Sequence, residues 1–400
     1  FKRLPSTHRV LLISAIITLA RRFQTVNTLP LLVDSGQFGS FVGGGNDSAS
    51  ARYIFTHLEE NCKFIFNSAD FEVLPRNRVD GELAECKLLA PLLPWTLVNG
   101  ATGIATGFST NIYPYCPLEL IANVKNILNG KKLSVLAPSF RNWNGSIQLC
   151  DGFFISSANY SLISSSTIKI RCLPIGMFPQ TFIRTLEKLK IAGTVQSFGV
   201  EHLNMGPQFR IVFKSLCDMP SALSLKKKHS LKNMHLLDSH GVLRKYESAE
   251  DILREFVSFR LRVIEKRIDY QLQSIDGELS TLSDIQKFIS LFLDGVLEFK
   301  GKSDEDVCEM LTAVELNHLK QKLLNLPIRR LTQREIEVAG LRILKLKERR
   351  QYLLSTTPSS TYLQELDKFS RHLSTTSKRA SDCTDRMLQS HVHKKKKINN

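Results

Sequence analysis

Apolar positions change spacing several times along the chain, and each change predicts a different kind of element. The front carries a crowded apolar run, Val10 to Ala20 (VLLISAIITLA), with Gly and Pro absent after Pro5, which predicts a helix over residues 1–25. Eleven residues cover about half a bilayer, so the run is expected to be a buried helix and not a membrane span. Residues 29–48 (LPLLVDSGQFGSFVGGGNDS) then form a short apolar strand and a glycine-rich loop. Ser50 to Glu60 reads as the next helix, with Ser48 or Ser50 capping its free backbone N–H groups through a side-chain oxygen. From 87 to 150 short apolar runs alternate with turns, as in a mixed α/β region, with KLLAPLLPWTLVNG and ATGIATGFSTNIYP dominating. Residues 145–245 are richer in Ser, Thr, Ile and Phe, with strand-like runs at Ser166–Arg171 and Phe209–Phe213, and predict an α+β module.

The pattern shifts to helical near residue 247. Ile252, Phe256, Phe259, Val263, Ile264 and Ile268 recur at spacings of three and four, the mark of a long amphipathic helix over 247–290. A second long helix is predicted from about Thr332 to Leu354, and Tyr362 to Leu373 resumes the pattern. Between the two long helices lies a compact helical stretch, Leu291–Pro327. Such an arrangement is either an antiparallel arm with a knob at its tip or an ordinary helical bundle, and periodicity alone leaves both open. An apolar knob surface would be a natural dimer contact. After Ser374 the tail is polar and basic and is expected to be disordered.

Composition narrows the partners. Lys and Arg total 54 against 38 Asp and Glu, a formal net charge of +16, which favours a polyanion, nucleic acid before anionic membrane. The eight cysteines form no CxxC pair and no zinc-spaced cluster with histidine, so a reduced, intracellular chain without a metal site is expected. Lys2 and Arg3 precede the apolar run, but no small-residue cleavage site follows Ala20 and the first residue is Phe, so the sequence is expected to begin inside a longer reading frame.

The segment VDSGQFGSFVGGGNDSASARYIFTHLEE carries the candidate chemistry. Glycines let backbone approach a phosphate closely, and Arg52-Tyr53 follows at the start of a predicted helix, whose N-terminus favours anions. A phenol, with an ordinary pKa near 10, is a poor nucleophile at neutral pH. An adjacent guanidinium can favour the phenolate or hold the phosphate under attack. A tyrosine that forms a covalent phosphodiester link needs such surroundings.

The run GQFGSFVGGGNDSASARYIF (Gly36–Phe55) resembles the active-site loop of type IIA DNA topoisomerases, matching the eukaryotic form in length from GQFG to the tyrosine. The LPLL-VD lead-in and LVNGATGIATGFSTNI (Leu97–Ile112) look closer to the medium subunit of T-even-type phage topoisomerases. NGKKL at 129–133, PSFRNWNGSI at 138–147, LPIG at 173–176, HGVLRKYESAEDILREFVSFRLRVIEKRID at 240–269 and LPIRRLT at 326–332 follow in family order, so the resemblance spans roughly residues 1–373.

That resemblance implies an α+β fold: a partial winged-helix DNA-gate domain over 1–140, a tower-like α+β domain over 141–246, and a coiled-coil arm with a helical C-gate over 247–373, its globule at about 291–327. It implies that Tyr53 attacks a DNA phosphate, leaving a 5′-phosphotyrosyl link and a free 3′-hydroxyl, with Arg52 assisting. Ile104 takes the place of the family's isoleucine that wedges between base pairs, which without the resemblance would read as a core residue. Gln37, Ser48, Ser50 and Lys226-Lys227-Lys228 are expected at the DNA, and His8 lies near the family's His-Gly-Glu element without spelling it. The lysine run and Lys394 to Lys397 otherwise read as solvated surface charge.

Departures are equally specific. Phe41 stands where the eukaryotic loop has arginine, Asn46 where it has lysine, and Ala51 where proline precedes the Arg-Tyr pair. No TOPRIM-like acidic metal pattern and no ATPase phosphate loop are present, so the Mg²⁺ and ATP of the family are expected on a partner subunit or a missing N-terminal region. The expected partners are double-stranded DNA, a second copy through the C-gate, and that TOPRIM/ATPase part, with no membrane. The location is the nucleus in a eukaryote, or host or bacterial cytoplasm for a phage-like protein. The alternatives are a catalytically silent DNA-binding and dimerisation fragment of the same family, and a coiled-coil scaffold without DNA affinity.

Overall fold

The computed structural model describes residues 6–79, 81–203, 206–214, 218–299 and 301–375 of a protein that mixes helix and sheet. The chain divides into two compact units. The first comprises Phe1–Asn67, Leu88–Arg260 and Glu365–Asn400, as far as these are described, and the second comprises Ser68–Lys87 and Leu261–Gln364.

In chain order come α1 (Ser6–Ala20), a 3-10 turn (Ala51–Tyr53), α2 (Cys62–Ile65), and a hairpin of β1 (Arg76–Val79) and β2 (Glu82–Cys86). Next are α3 (Trp95–Val98), a hairpin of β3 (Ala101–Ala105) and β4 (Phe108–Ile112), and α4 (Pro117–Leu128). The α+β segment holds β5 (Ser146–Cys150), β6 (Phe153–Ser157), β7 (Asn159–Ser164), β8 (Thr167–Cys172), α5 (Pro179–Ile191), β9 (Val195–Leu203) and β10 (Gly206–Phe213). It continues with α6 (Met219–Ala222), β11 (Lys226–Ser230), β12 (Met234–Leu237) and β13 (Leu243–Tyr246). The helical part has α7 (Ala249–Leu293), α8 (Asp304–Ala313), α9 (Lys320–Leu324) and α10 (Gln333–Ser355), and helix is also assigned over residues 358–375.

The first unit is organised by an antiparallel sheet in the order β7-β8-β10-β9. Alternation does the work: Ile168 and Ile170 of β8 and Phe209, Ile211 and Phe213 of β10 all face one buried side. α5 covers that side. It starts with Pro179, whose missing N–H would have no helical partner there, and lays Phe182 and Leu186, four residues apart, onto the sheet. The Phe182 ring meets Phe209 edge-on at 5.0 Å. Each such side chain contributes about 1.5–3 kcal/mol on burial. A second sheet, β11-β6-β5, and the β3–β4 and β12–β13 hairpins also belong to this unit. Arg260 lies on the apolar seam of α7, 1% exposed, and is tolerated there because it donates to the Ala90 carbonyl (2.9 Å) and to Glu365 (3.1 Å).

The second unit has its own core of Phe288, Ile289, Leu297, Val307, Leu311, Leu316 and Leu323. Ser303 opens α8 with a capping box: its hydroxyl accepts from the Asp306 N–H, and the Asp306 carboxylate accepts from the Ser303 N–H. Asp276 pairs with Arg350 at 2.6 Å and Glu278 pairs with Arg342, so α7 and α10 run antiparallel. Asp70 and Arg267 form an ion pair at 2.9 Å with side chains 3% and 4% exposed.

Two expectations fail here. Ser50 to Glu60 is not a helix. After the 3-10 turn the chain is extended, because the Phe55 and Glu59 N–H groups donate to the Ser35 and Leu31 carbonyls, and the His57 carbonyl accepts from Val33. Non-local pairing overrides the local preference. The run Val10–Ala20 is helical but not buried: Val10 and Leu11 are about two-thirds exposed, and of the run only Ala20 is buried. An apolar run without a polar face does not say which side packs. Among the described residues, no helix is long and apolar enough to cross a membrane. The basic tail beyond residue 375 lies outside the described residues.

Replacing Asp70 by Ala strands the buried Arg267 guanidinium without this carboxylate, and urea unfolding should show a loss of about 3–5 kcal/mol. An unchanged midpoint would show that the pair does not hold the second unit together.

Candidate active site

The loop of residues 36–54 hangs from a short antiparallel stem. Ser35 and Phe55 exchange both backbone bonds (3.1 and 3.0 Å), Val33 donates to His57 and Glu59 donates to Leu31, each at 2.9 Å. Arg22 spans the two sides of this stem, pairing with Asp34 at 2.8 Å and with Glu59.

Within the loop the backbone closes on itself: Ala49 donates to the Gln37 carbonyl (2.9 Å) and Gly45 to that of Ser40 (3.0 Å). Gly39 and Gly45 have φ of +106° and +85°, and a Cβ on Gly39 would lie 2.7 Å from the Gly45 Cα. Only glycine allows that approach and that backbone. Arg21, just past α1, clasps the same closure, its Nε donating to the Phe38 carbonyl (3.2 Å) and its Nη2 to that of Gly45 (2.7 Å). Asp47 accepts from the Ser40 N–H (2.8 Å) and, more loosely, from Gln37 (3.4 Å). Hydrogen bonding from Ser40, with Arg21's charge adding, holds the Asp47 carboxyl below the usual carboxylate range. Burial lowers the Arg21 pKa, and Asp47 opposes that. The far side of the loop is apolar: the Phe41 ring meets Phe178 edge-on at 6.1 Å, and Gln180 donates to the Val42 carbonyl (3.1 Å).

Tyr53 ends the 3-10 turn with its N–H on the Ser50 carbonyl (2.9 Å) and its side chain 69% exposed. The Arg52 guanidinium lies 5.3 Å from the centre of its ring. Phenol and cation thus present together to solvent. Ser50 occupies the capping position, but its side chain makes no cap hydrogen bond. Ser48 is half-buried, and Gln37 is exposed apart from its contact with Asp47.

Ile104 stands elsewhere in the same unit, on the β3–β4 hairpin, and is 92% exposed. A large aliphatic side chain held that far into water on a paired strand is not a core residue. The hairpin is braced at β4: Asn111 N–H donates to the Asn233 carbonyl (2.8 Å), Asn233 Nδ2 to Ser109 Oγ (3.0 Å), and His235 N–H to Thr110 Oγ1 (3.2 Å).

The three lysines sit in a strand and therefore alternate. Lys226 and Lys228 share one face, with Lys228 Nζ 3.8 Å from the Phe153 ring centre, and Lys227 takes the other and donates to the Gly176 carbonyl at 3.4 Å. Gly176 lies two residues before Phe178, which places Lys227 near the apolar side of the tyrosine loop. His8 belongs to α1, but its side chain lies outside the described residues. Among the described residues, no group of three or more His, Cys, Asp or Glu is placed to hold a metal ion.

Arg21, Asp47 and the bracing pair Asn233 and His235 escape a sequence reading. The one available signal is the Arg21-Arg22 doublet that ends the apolar helix, since cations there face either solvent or nearby carbonyls.

The family model for the A-type subunit of DNA gyrase/topoisomerase IV matches residues 10–369. The chain is 29% identical over 438 aligned residues to DNA topoisomerase 2 of Acanthamoeba polyphaga mimivirus, covering 89% of the chain and 35% of that protein. It is 30% identical to the mitochondrial DNA topoisomerase 2 of Dictyostelium discoideum (90% of the chain, 30% of that protein) and 33% identical to DNA topoisomerase 2 of Arabidopsis thaliana (75% and 21%). The chain therefore spans about a third or less of these relatives. Among solved structures it is similar to the DNA-binding, cleavage and re-ligation domain of Plasmodium falciparum topoisomerase II, with a TM-score of 0.80 and 25% identity over 93% of this chain and 56% of that one.

Arg21→Ala removes two charge-assisted bonds from the loop closure, on the order of 2 kcal/mol of local stability. Hydrogen exchange should quicken across residues 36–54, the Ala49 and Gly45 amides first, while the β8–β10 amides keep their protection. Uniform protection in the variant would show that the glycine contacts alone close the loop.

Proposed function

The chain belongs to the family of DNA gyrase/topoisomerase IV A-type subunits, and on that premise we propose that it is the DNA-gate portion of an ATP-dependent type II topoisomerase. The observation that carries this is Tyr53, exposed beside Arg52 on a loop locked by its own backbone. Its phenolic oxygen gives up its proton and bonds to a DNA phosphorus. The bond from phosphorus to the 3′-oxygen breaks, and that oxygen leaves as a hydroxyl after taking a proton. The 5′ end stays linked to Tyr53, and the reverse attack reseals the strand. Arg52, lifting off the ring, holds the phosphate or favours the phenolate. Gln37, Ser48 and Ser50 line the same loop as phosphate contacts, Lys226 to Lys228 add backbone charge, and Ile104 enters between base pairs so that the bend permits further contact.

The fold assignments follow the same premise. Residues 1–140 form a partial winged-helix domain, 141–246 a tower-like domain, and 247–373 the coiled-coil arm, whose helical globule at about 291–327 is the C-gate that meets a second copy. The antiparallel ion pairs between α7 and α10 support the arm. The family's Mg²⁺ and ATP belong to a TOPRIM/ATPase part. Among the described residues no acidic cluster fits the metal, and the share proposed for this chain is binding, orientation and nucleophilic attack.

A silent DNA-binding role has one observation in its favour. Phe41 occupies an apolar contact with Phe178, and Asn46 is neutral, so the loop lacks two cations.

Mixed with a TOPRIM/ATPase partner, Mg²⁺, ATP and DNA, and stopped with denaturant, the wild-type chain should retain covalent DNA and Tyr53→Phe none above background. Equal capture by the variant would remove Tyr53 from the chemistry, and none by wild type would leave the silent role. DNA affinity of either chain should fall steeply with salt, log K against log salt being a straight line of slope about −0.9 for each phosphate neutralised. A flat line, measured by fluorescence anisotropy, would exclude both DNA readings.

A further inference from the structure

A hydrogen-bonded chain runs from the base of the Ile104 hairpin to the lysine strand. Asn111, cross-strand partner of Thr102, donates from Nδ2 to Tyr113 Oη at 2.8 Å. Tyr113 Oη lies 3.5 Å from His229 Nδ1, and His229 Nε2 lies 2.8 Å from Ser156 Oγ. Ser156 Oγ is in turn 3.5 Å from the Lys227 carbonyl. His229 is 7% exposed, stacked on Phe154 (centroids 4.6 Å apart), with Tyr113 edge-on to it at 5.6 Å.

With the Asn111 amide nitrogen turned toward Tyr113, one arrangement of protons satisfies the donors and acceptors of this chain. An amide nitrogen can only donate, so Tyr113 accepts from Asn111 and turns its own proton toward His229. Nδ1 must then be bare, the ring proton sits on Nε2 and goes to Ser156, and the serine hydroxyl points at the Lys227 carbonyl. This is the neutral imidazole. A protonated ring would aim a second N–H at the phenol, turning the tyrosine proton away from any acceptor in the chain.

We propose that His229, as a neutral imidazole, is a positioning residue that acts through Tyr113 and Asn111 to set the pose of the β3–β4 hairpin and its Ile104. The consequence for DNA rests on Ile104 being a wedge, but the bracing of the hairpin does not. Among the described residues, the titratable or charged groups facing this ring are Tyr113, from the segment after β4, and Lys227, on its own strand, while β6 contributes Ser156 and Phe154. Burial, with Lys227's charge, lowers the His229 pKa from 6.5, and burial raises that of Tyr113, so both keep the forms the chain requires. A lowered histidine pKa favours the folded pose above pH 6.5, and that contribution is lost as pH falls through the folded value.

The test uses the 400-residue chain with Tyr113→Phe, His229→Phe and Ile104→Ala. At neutral pH, hydrogen exchange over residues 101–112 should quicken about 3- to 10-fold in the first two, the scale of one lost neutral hydrogen bond, with β8 and β10 unchanged. Tyr113→Phe loses a single hydroxyl and remains informative if His229→Phe misfolds. Bending of a short duplex, read by energy transfer between end-placed dyes, should fall in both variants at saturating protein, and should fall on acidification below pH 6.5 in wild type but not in His229→Phe. Wild-type exchange rates over 101–112 in Tyr113→Phe would overturn the proposal, as would unchanged bending in both variants where Ile104→Ala reduces it. Unchanged bending in Ile104→Ala itself would overturn the wedge reading, and the exchange rates would then decide the role of His229.

Discussion

A side chain proposed to reach an atom of another molecule cannot be held by burial, and the contacts around Tyr53 are those that hold an exposed residue in place. With 69% of its surface in water, Tyr53 has little packing to orient it, so its backbone carries most of that task. The stem pairing of Ser35 with Phe55, the Gly39–Gly45 crossing and the Arg21 clasp fix the loop from three directions. Each is a contact to main chain. Main-chain carbonyls and amides move far less than side-chain ends, so these contacts fix the course of the loop.

The same constraint acts at Ile104. An isoleucine 92% exposed gains nothing from the hydrophobic effect in the free protein, and its place is maintained by strand pairing and by the polar contacts of Asn111, Asn233 and His235. Both exposed elements thus rest on polar scaffolding, where hydrogen-bond geometry decides direction. The apolar cores, by contrast, are built from the β8–β10 sheet with α5 and, in the second unit, from the cluster around Phe288 and Leu311.

Cations serve two unlike purposes. Arg21, Arg22, Arg260 and Arg267 are tied to carbonyls and carboxylates within the fold. Arg52 and Lys226 to Lys228 stay exposed, Lys227 with only a loose donation to the Gly176 carbonyl, in a chain of net charge +16. Phe41 faces inward, its ring against Phe178.

Much of this was legible in the order of residues. Helix α7 and helix α10 follow directly from apolar spacing of three and four, and β8 and β10 from alternation, because a long amphipathic pattern has one way to hide its apolar face. The glycine loop with Arg-Tyr stood out as a candidate for a local reason, since glycine's backbone freedom and the adjacent cation are properties of neighbours in sequence. Only the tertiary structure decided the rest. Residues 54–59 became extended because residues 31–35 lay alongside to bond with them, and the apolar front helix stayed exposed because no described element covered it. Arg21 became a clasp, and Lys226 to Lys228 were split between two faces, through contacts with residues distant in the chain. A sequence records what each residue prefers; which acceptor, carbonyl or ring lies within its reach is set by the fold.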